Sequence, residues 1–190
     1  MLIEYKNIDN AFIKACFKKA VAGYQALENN TIILSQKATP KTNMRAQPVL
    51  DFKVFKPKNR TYKIEISNHS NFAEYLKIEE LPEVVLVGWF AHELGHVMDY
   101  FHRSAGNMIR FGLGYWLFPN FRIGAERKAD LYAIENGFAK EILATKKFIL
   151  EHSSLPDIYK KKIEKYYMSP DEVKLLLEQT QDNLTIDQAL

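Results

Sequence analysis

The chain has 190 residues, of which 47% are hydrophobic, 13% aromatic and 26% charged, and its formal net charge is +3. This length and composition fit one globular domain and exclude a disordered chain. The tight basic run at Lys160, Lys161 and Lys162 is typical of a solvated helix face, and the small net charge does not demand a polyanionic partner. We therefore expect no nucleic-acid partner.

The cellular compartment is predicted from cysteine content and from the apolar stretches. Cys16 is the single cysteine, so an internal disulfide is excluded and a reducing compartment is expected. Glu4 and Asp9 interrupt the apolar residues near the N-terminus, which excludes a signal-peptide core there. The most apolar stretch, residues 108–118, contains Arg110 and is shorter than the roughly 20 residues that a spanning helix needs. We expect a cytoplasmic protein without a transmembrane segment.

The first part of the chain, residues 1–80, is predicted to form a helix followed by a small sheet. Asp9 or Asn10 can cap the helix, whose apolar residues recur at helical spacing as far as residues 29–30.

Three later segments of this part have strand-like sequences, residues 31–35, 49–55 and 61–67. The last two alternate apolar and polar residues, as half-buried strands do. Residues 56–59 predict a turn between them. These two strands should therefore form an antiparallel hairpin.

The middle part, residues 81–138, is predicted to contain two helices. Pro82 suits the first turn of a central helix that continues to about His102. Glycines and a proline recur between residues 106 and 119, which predicts an aromatic-rich loop. A second helix follows over residues 123–136 and ends at the next glycine.

The last part, residues 139–190, is predicted to be mostly helical. Ser169, Pro170 and Glu172 form a strong helix start, with the serine as cap, the proline in the first position and the glutamate completing a capping box. No repeat or long linker divides the chain. Residues 1–190 are therefore predicted to form one domain.

The central helix carries the motif His-Glu-Leu-Gly-His at residues 92–96. His92 and His96 lie four positions apart, about 40° round the helix, so both imidazoles can reach one metal ion. Glu93 lies beside that face, where it can take a proton from a metal-activated water. Gly95 costs about 1 kcal/mol inside a helix, which indicates that another group must approach the backbone closely.

A catalytic zinc commonly has three protein ligands, so a third ligand is expected downstream. Glu126 lies on the helix that follows the aromatic loop. Asp130, four residues later, points to the same side and could accept the free ring N–H of a ligating histidine.

His102 competes with Glu126 for the third position. The spacing His92-x3-His96-x5-His102 is that of metzincin ligands, but that family has a glycine where this chain has Asp99. If the helix continues, His102 lies about 240° round from His96 and cannot share its metal. The helical geometry therefore favours Glu126.

Together, the motif at residues 92–96 and the pattern Glu126-x3-Asp130 resemble the gluzincin zinc peptidases. The Ala129-Asp130 ending and the short chain are similar to the minigluzincins, soluble relatives of the membrane-bound CAAX-prenyl and heat-shock endopeptidases. The motifs cover residues 91–131. The resemblance implies a zincin-like α+β fold with an N-terminal backing helix, a small, mostly antiparallel sheet, an active-site helix, a glutamate helix and C-terminal helices.

The resemblance also implies a cofactor and roles for the site residues. Zn²⁺ would be held by His92, His96 and Glu126, with Glu93 as general base and Asp130 as the acid that supports a ligand. The expected reaction is hydrolysis of a peptide or protein substrate by a metal-activated water.

In the resembled group, one strand borders the cleft and pairs with extended substrate, and residues 61–67 are the nearest candidate. No position matches the group's transition-state-stabilising His or Tyr. Tyr100, Tyr115 and Tyr132 are equivalent candidates for the oxyanion donor.

Two other functions are compatible with the same residues. One is a non-catalytic module that keeps the zinc fold as a scaffold for binding. The other is a latent peptidase whose C-terminal helices, from about Ser169 to Leu190, cover the cleft.

Overall fold

The computed structural model describes residues 1–37, 43–67, 76–152 and 154–188, with side chains up to residue 179. The strands are β1 (Leu2–Lys6), β2 (Thr31–Lys37), β3 (Met44–Pro48) and β4 (Thr61–Ser67). The helices are α1 (Ala11–Gly23), α2 (Glu83–Phe101), α3 (Ala105–Leu117), α4 (Pro119–Ala133), α5 (Ala139–Glu151), α6 (Asp157–Tyr166) and α7 (Pro170–Gln188). The α+β class predicted from the sequence is confirmed.

The sheet is mixed, and its strand order is β1-β2-β4-β3. β1, β2 and β4 run parallel to one another, and β3 runs antiparallel to β4. The prediction of a mostly antiparallel sheet is therefore wrong. Helix α1 is the crossover that parallel β1 and β2 require, and the sequence analysis did not identify β1.

The predicted hairpin partner at residues 49–55 is not a strand. Phe52–Phe55 forms a 3-10 turn, capped by Asp51, whose side chain accepts a hydrogen bond from the Lys53 amide at 2.8 Å. Val54 is buried in this turn while Phe52 is exposed, so the two apolar residues that alternate in the sequence do not share a face as they would in a strand. The strand next to β4 lies earlier in the chain, at Met44–Pro48.

Strand β4 lies between β2 and β3, so its backbone is paired on both sides. The prediction that residues 61–67 form an exposed edge is therefore wrong. The edge strand on the side of the central helix is β3, which packs against α2.

Helix α1 contacts the sheet through Phe17, whose ring centroid lies 6.5 Å from that of Tyr5 on β1. Asn10 is its cap, because its side-chain oxygen accepts hydrogen bonds from the Phe12 amide at 2.9 Å and the Ile13 amide at 3.1 Å. The helix ends at Gly23, earlier than the predicted residues 29–30, and a 3-10 turn at Gln25–Leu27 follows it.

Helix α2 is the centre of the fold, with α1, α4, α5 and β3 packed around it. Its bounds agree with the prediction within a residue or two. The predicted aromatic loop after it is wrong, because those residues form helix α3, capped by the Ser104 hydroxyl. Gly106 and Gly112 lie within this helix, and an added Cβ at either position would meet no atom within 4 Å.

The C-terminal part is helical, as predicted. α4 ends in a kink at Ile134–Phe138, where Gly137 takes a φ of 93° that favours glycine. The capping box of α7 is confirmed, since the Ser169 amide donates to Glu172 Oε2 at 2.8 Å and the Glu172 amide donates to Ser169 Oγ at 3.2 Å. Within the described part of the chain, no helix is long and apolar enough to cross a membrane.

Strands β3 and β4 are joined by a buried charge at Glu65. Its carboxylate is 1% exposed, accepts a hydrogen bond from Arg45 Nε at 2.7 Å and lies 2.7 Å from Lys63 Nζ. Burial raises the pKa of Glu65, but the two cations outweigh this effect and hold the pKa below its ordinary value.

We expect Glu65→Gln to lower the free energy of unfolding by about 1–3 kcal/mol at pH 7. Because the folded-state pKa lies below the unfolded one, this stabilisation is present above about pH 4.3 and is lost as pH falls through the folded-state pKa. Urea unfolding at pH 7 and at pH 3 measures both effects, with exposed Glu135→Gln as the control. An equally large loss at the two pH values would contradict the assignment.

Candidate metal centre

Helix α2 places His92 and His96 side by side in the interior. Their ring centroids are 4.8 Å apart and the ring planes are nearly perpendicular. Both residues are buried, with 7% and 8% of their surface exposed. The i, i+4 spacing therefore presents two imidazoles to one small volume, as the helical geometry predicted.

Helix α4 brings Glu126 to the two histidines. Glu126 Oε2 lies 3.1 Å from His92 Nε2 and 3.3 Å from His96 Nε2. The ligand atoms of these three buried residues all lie within 4.8 Å of one another. Two imidazole nitrogens and one carboxylate are a donor set that suits zinc and other first-row divalent metals.

The close approach of α4 to α2 depends on Gly95. A Cβ at this position would lie 2.2 Å from the carbonyl oxygen of Ala129, so no larger residue fits without moving a helix. Ala125, Ala129 and Ala133 are the small buried residues on the facing side of α4. The predicted close contact at Gly95 is confirmed.

Asp130 orients His92 from behind. Its Oδ1 lies 2.8 Å from His92 Nδ1, and its two oxygens also accept hydrogen bonds from Lys146 Nζ at 2.9 and 2.8 Å. A hydrogen bond from Nδ1–H leaves Nε2 as the nitrogen that faces Glu126. Burial lowers the pKa of His92, but Asp130 and Glu126 outweigh it and raise the pKa to about 10. The two carboxylates therefore favour positive charge at this ring.

Lys146 is a site residue that the sequence analysis missed. It lies on α5, only 4% exposed, with its ammonium on Asp130. The sequence does indicate this role, because Lys146 lies on the apolar face of a helix, between Ile142 and Ile149. A charged residue on such a face needs a buried partner.

Glu126 is held from its other side by Tyr115 on α3, whose hydroxyl donates to Glu126 Oε1. Burial raises the pKa of Glu126, but His96 and His92 outweigh it and hold the pKa well below its ordinary value. Burial and the adjacent Glu126 carboxylate raise the pKa of Tyr115, so the phenol stays protonated as a donor.

The other two tyrosine candidates have different partners. The Tyr100 hydroxyl donates to the Ala46 carbonyl at 3.3 Å, and Tyr132 stacks on His102 with ring centroids 5.9 Å apart. The structure thus distinguishes three tyrosines that were equivalent in the sequence.

Glu93 lies beside the ligand cluster with one carboxylate oxygen unpaired. It is 7% exposed, and its Oε2 is buried without a hydrogen-bond partner. Burial raises its pKa, while His96, His92 and a hydrogen bond from the Ala46 amide lower it to a smaller extent. A buried carboxylate oxygen without a partner is costly, so its persistence indicates a role outside the fold's own hydrogen bonds.

His102 lies outside the cluster. It follows the last residue of α2, is exposed, and stacks on Tyr132. Asp99 stays within the helix and pairs with Arg103 and Lys128. Because α2 continues past Asp99, His102 does not turn back towards His92 and His96.

A cavity of about 720 Å³ opens onto the cluster. Glu93, His96 and Glu126 lie in its wall, together with backbone and side chains of β3, α3 and α6. This volume is within the range of ligand-binding pockets, roughly 300–1,000 Å³. The ligand cluster is therefore accessible from one side.

Comparison of the chain with models of protein families, with curated proteins and with solved structures gave no match. The kind of site is therefore inferred from its geometry and chemistry. Two imidazoles and a carboxylate converge beside Glu93, which has an unpaired carboxylate oxygen, and Glu93, His96 and Glu126 line one cavity. This arrangement is a candidate metal centre.

We expect Gly95→Ala to separate α4 from α2, since its Cβ has no space beside Ala129. The free energy of unfolding should fall by about 1–3 kcal/mol, and zinc affinity should fall with it, as measured by urea unfolding and metal titration. Gly124→Ala is the matched control on α4, where an added Cβ meets no atom within 4 Å. That control should gain up to about 1 kcal/mol. Wild-type stability and zinc affinity in Gly95→Ala would refute the packing argument.

Proposed function

We propose that this protein is a zinc-dependent hydrolase of the gluzincin type that cleaves peptide bonds. The observation that carries the proposal is the convergence of three buried ligand groups, two of which, His96 and Glu126, line one cavity together with Glu93, whose Oε2 is unpaired. A purely structural cluster would need no free carboxylate oxygen and no access from a cavity.

The donor atoms fit a zinc ion. His92 Nε2, His96 Nε2 and a Glu126 oxygen would hold it, and Asp130 would keep the His92 ring in the required orientation. Zinc bound there would supply Lewis acidity and lower the pKa of water in the site towards about 7.

Glu93 is the residue that moves the proton. Its carboxylate takes a proton from the attacking water and passes it to the leaving amine, which a base at the cavity wall can reach. Tyr115 is the oxyanion donor that we propose, because its hydroxyl contacts the ligand cluster through Glu126 Oε1. Its single phenolic hydrogen would turn from that carboxylate to the oxyanion as the oxyanion forms.

The cavity wall supports a peptide as the substrate. Edge strand β3, at Met44–Pro48, lines the cavity together with Glu93, and an extended peptide can pair with a strand edge through main-chain hydrogen bonds. Met108, Phe111 and Trp116 line the same cavity. An apolar side chain next to the scissile bond is therefore preferred.

A latent form of the peptidase is the second candidate. Lys162, Tyr166 and Tyr167, in α6 and just after it, line the cavity. Arg122 lies over the Tyr166 ring at 5.6 Å and holds α6 near the cavity. Helix α7 packs against α5, so the helix that covers the cavity in a latent form would be α6.

The ligand assignment is tested by metal content. Wild-type protein should contain one zinc per chain by plasma mass spectrometry. Glu126→Ala should lose most of it, because a third ligand is removed, whereas His102→Ala should keep it. Zinc retained in Glu126→Ala would refute the assignment, and zinc lost in His102→Ala would favour His102 as the third ligand.

The reaction is tested by cleavage of a peptide library. Glu93→Gln should lower kcat by about 10²–10⁴-fold, as expected for a general base, with zinc content unchanged. Tyr115→Phe should lower kcat by roughly 10²-fold or more with zinc retained. Folded, zinc-loaded wild type that cleaves no peptide would contradict the proposal and favour a binding module, while cleavage appearing only after α6 is released by limited proteolysis would favour latency.

A further inference from the structure

Helix α3 and the start of α4 expose a row of large apolar side chains. Each of the following is more than half exposed: Ile109, Leu113, Trp116, Leu117 and Phe118. Single exposed apolar residues are ordinary, but a contiguous row on one element indicates an interaction surface.

A second exposed apolar group lies in the connection between β3 and β4. Leu50, Phe52 and Phe55 are 83%, 95% and 73% exposed. Phe52 and Phe55 lie in a short 3-10 turn, and Leu50 precedes it. We call this group, together with the exposed row on α3 and α4, the apolar rim.

The two halves of the rim meet at the cavity described above. Leu50 and Trp116 both line the opening of the cavity described above. Buried Arg60 joins the halves, because its guanidinium donates to the Val54 carbonyl at 2.6 Å and to the Tyr100 and Arg103 carbonyls at 2.9 and 2.8 Å. Both halves of the rim therefore border the same cavity.

The charges around the rim are mostly positive. Residues 50–64 contain five basic residues and one acidic residue, Asp51, and residues 100–125 contain three basic and no acidic residues, in a chain with 23 acidic residues in all. Lys53, Lys56 and Arg110 are exposed among the apolar side chains. A second copy of the chain would bring these like charges together, which disfavours self-association through this face.

We propose that the apolar rim docks on the surface of an anionic lipid bilayer. Aromatic side chains and leucines that enter the interface, with lysines and arginines around them, are the chemistry of peripheral membrane binding. Basic side chains bury their alkyl stems while the charge remains at the headgroups. This inference is independent of the proposed hydrolysis, because it uses neither the ligand cluster nor Glu93.

Vesicle co-sedimentation of the full chain tests the proposal. Wild type should sediment with phosphatidylcholine vesicles that contain phosphatidylserine, and less with phosphatidylcholine alone or at high salt. Phe52→Ser with Trp116→Ser should weaken binding by about tenfold or more. The matched control is Ile158→Ser with Leu175→Ser, which removes exposed apolar side chains from α6 and α7 and should bind like wild type.

Charge is tested separately from apolar contact. Lys53→Gln with Lys56→Gln should weaken binding to anionic vesicles by about tenfold at low salt. Exposed Lys18→Gln with Lys140→Gln, on α1 and α5, has the same charge change and should have little effect. Circular dichroism establishes that each variant is folded.

Fluorescence locates the contact without relying on affinity. The chain has two tryptophans, so Trp89→Phe leaves Trp116 as the reporter. Its emission should shift to the blue on anionic vesicles and be quenched by brominated lipid.

Three outcomes would overturn the proposal: wild type that does not sediment, an unchanged Trp116 emission on binding, or equal weakening in the control pair. A chain that ignores vesicles but dimerises in a way that Trp116→Ser abolishes would show a second copy as the occupant.

Discussion

The carboxylate of Asp130 is the point on which the helical half of the fold depends. It is fully buried on α4 and bonds to His92 on α2, to Lys146 on α5 and to the Met168 amide before α7. Removing a partner from a buried charge costs several kcal/mol. These elements therefore cannot separate independently, and the position of His92 is set by the packing of the whole bundle.

Two glycines on α2 make this packing possible. An added Cβ at Gly95 would lie 2.2 Å from the Ala129 carbonyl oxygen, and one at Gly88 would lie 2.3 Å from Thr145 Oγ1. Gly95 lets α4 carry Glu126 to the histidines, and Gly88 lets α5 carry its lysine to Asp130. The helix that supplies the histidines thus has no side chain at the two points where its neighbours approach.

Helical spacing depends only on residues that are near one another in the sequence. The sequence was therefore sufficient to predict helix α2 and to place Glu126 and Asp130 on one face of the next helix. Contacts between distant segments were not predictable in this way. The roles of β3 and Lys146 follow from their contacts with distant residues. The apolar residues Phe52 and Val54 alternate with polar ones, which made a 3-10 turn resemble a strand. Helix α3 was not predicted because Gly106 and Gly112 lower helix propensity. Neither glycine has a close neighbour that would explain its place in a helix.

The orientation of the apolar rim relative to the candidate metal ligands is set by α2. His92 and His96 lie in the middle of this helix, and Arg60 binds the carbonyls of Tyr100 and Arg103 at its C-terminal end while holding the Val54 turn. Cations are favoured at a helix C-terminus, so one buried guanidinium both ends the helix and fixes the rim beside the cavity. If the rim rests on lipid, the cavity opens along the bilayer surface, where a peptide segment lying at that surface could reach edge strand β3 without leaving it.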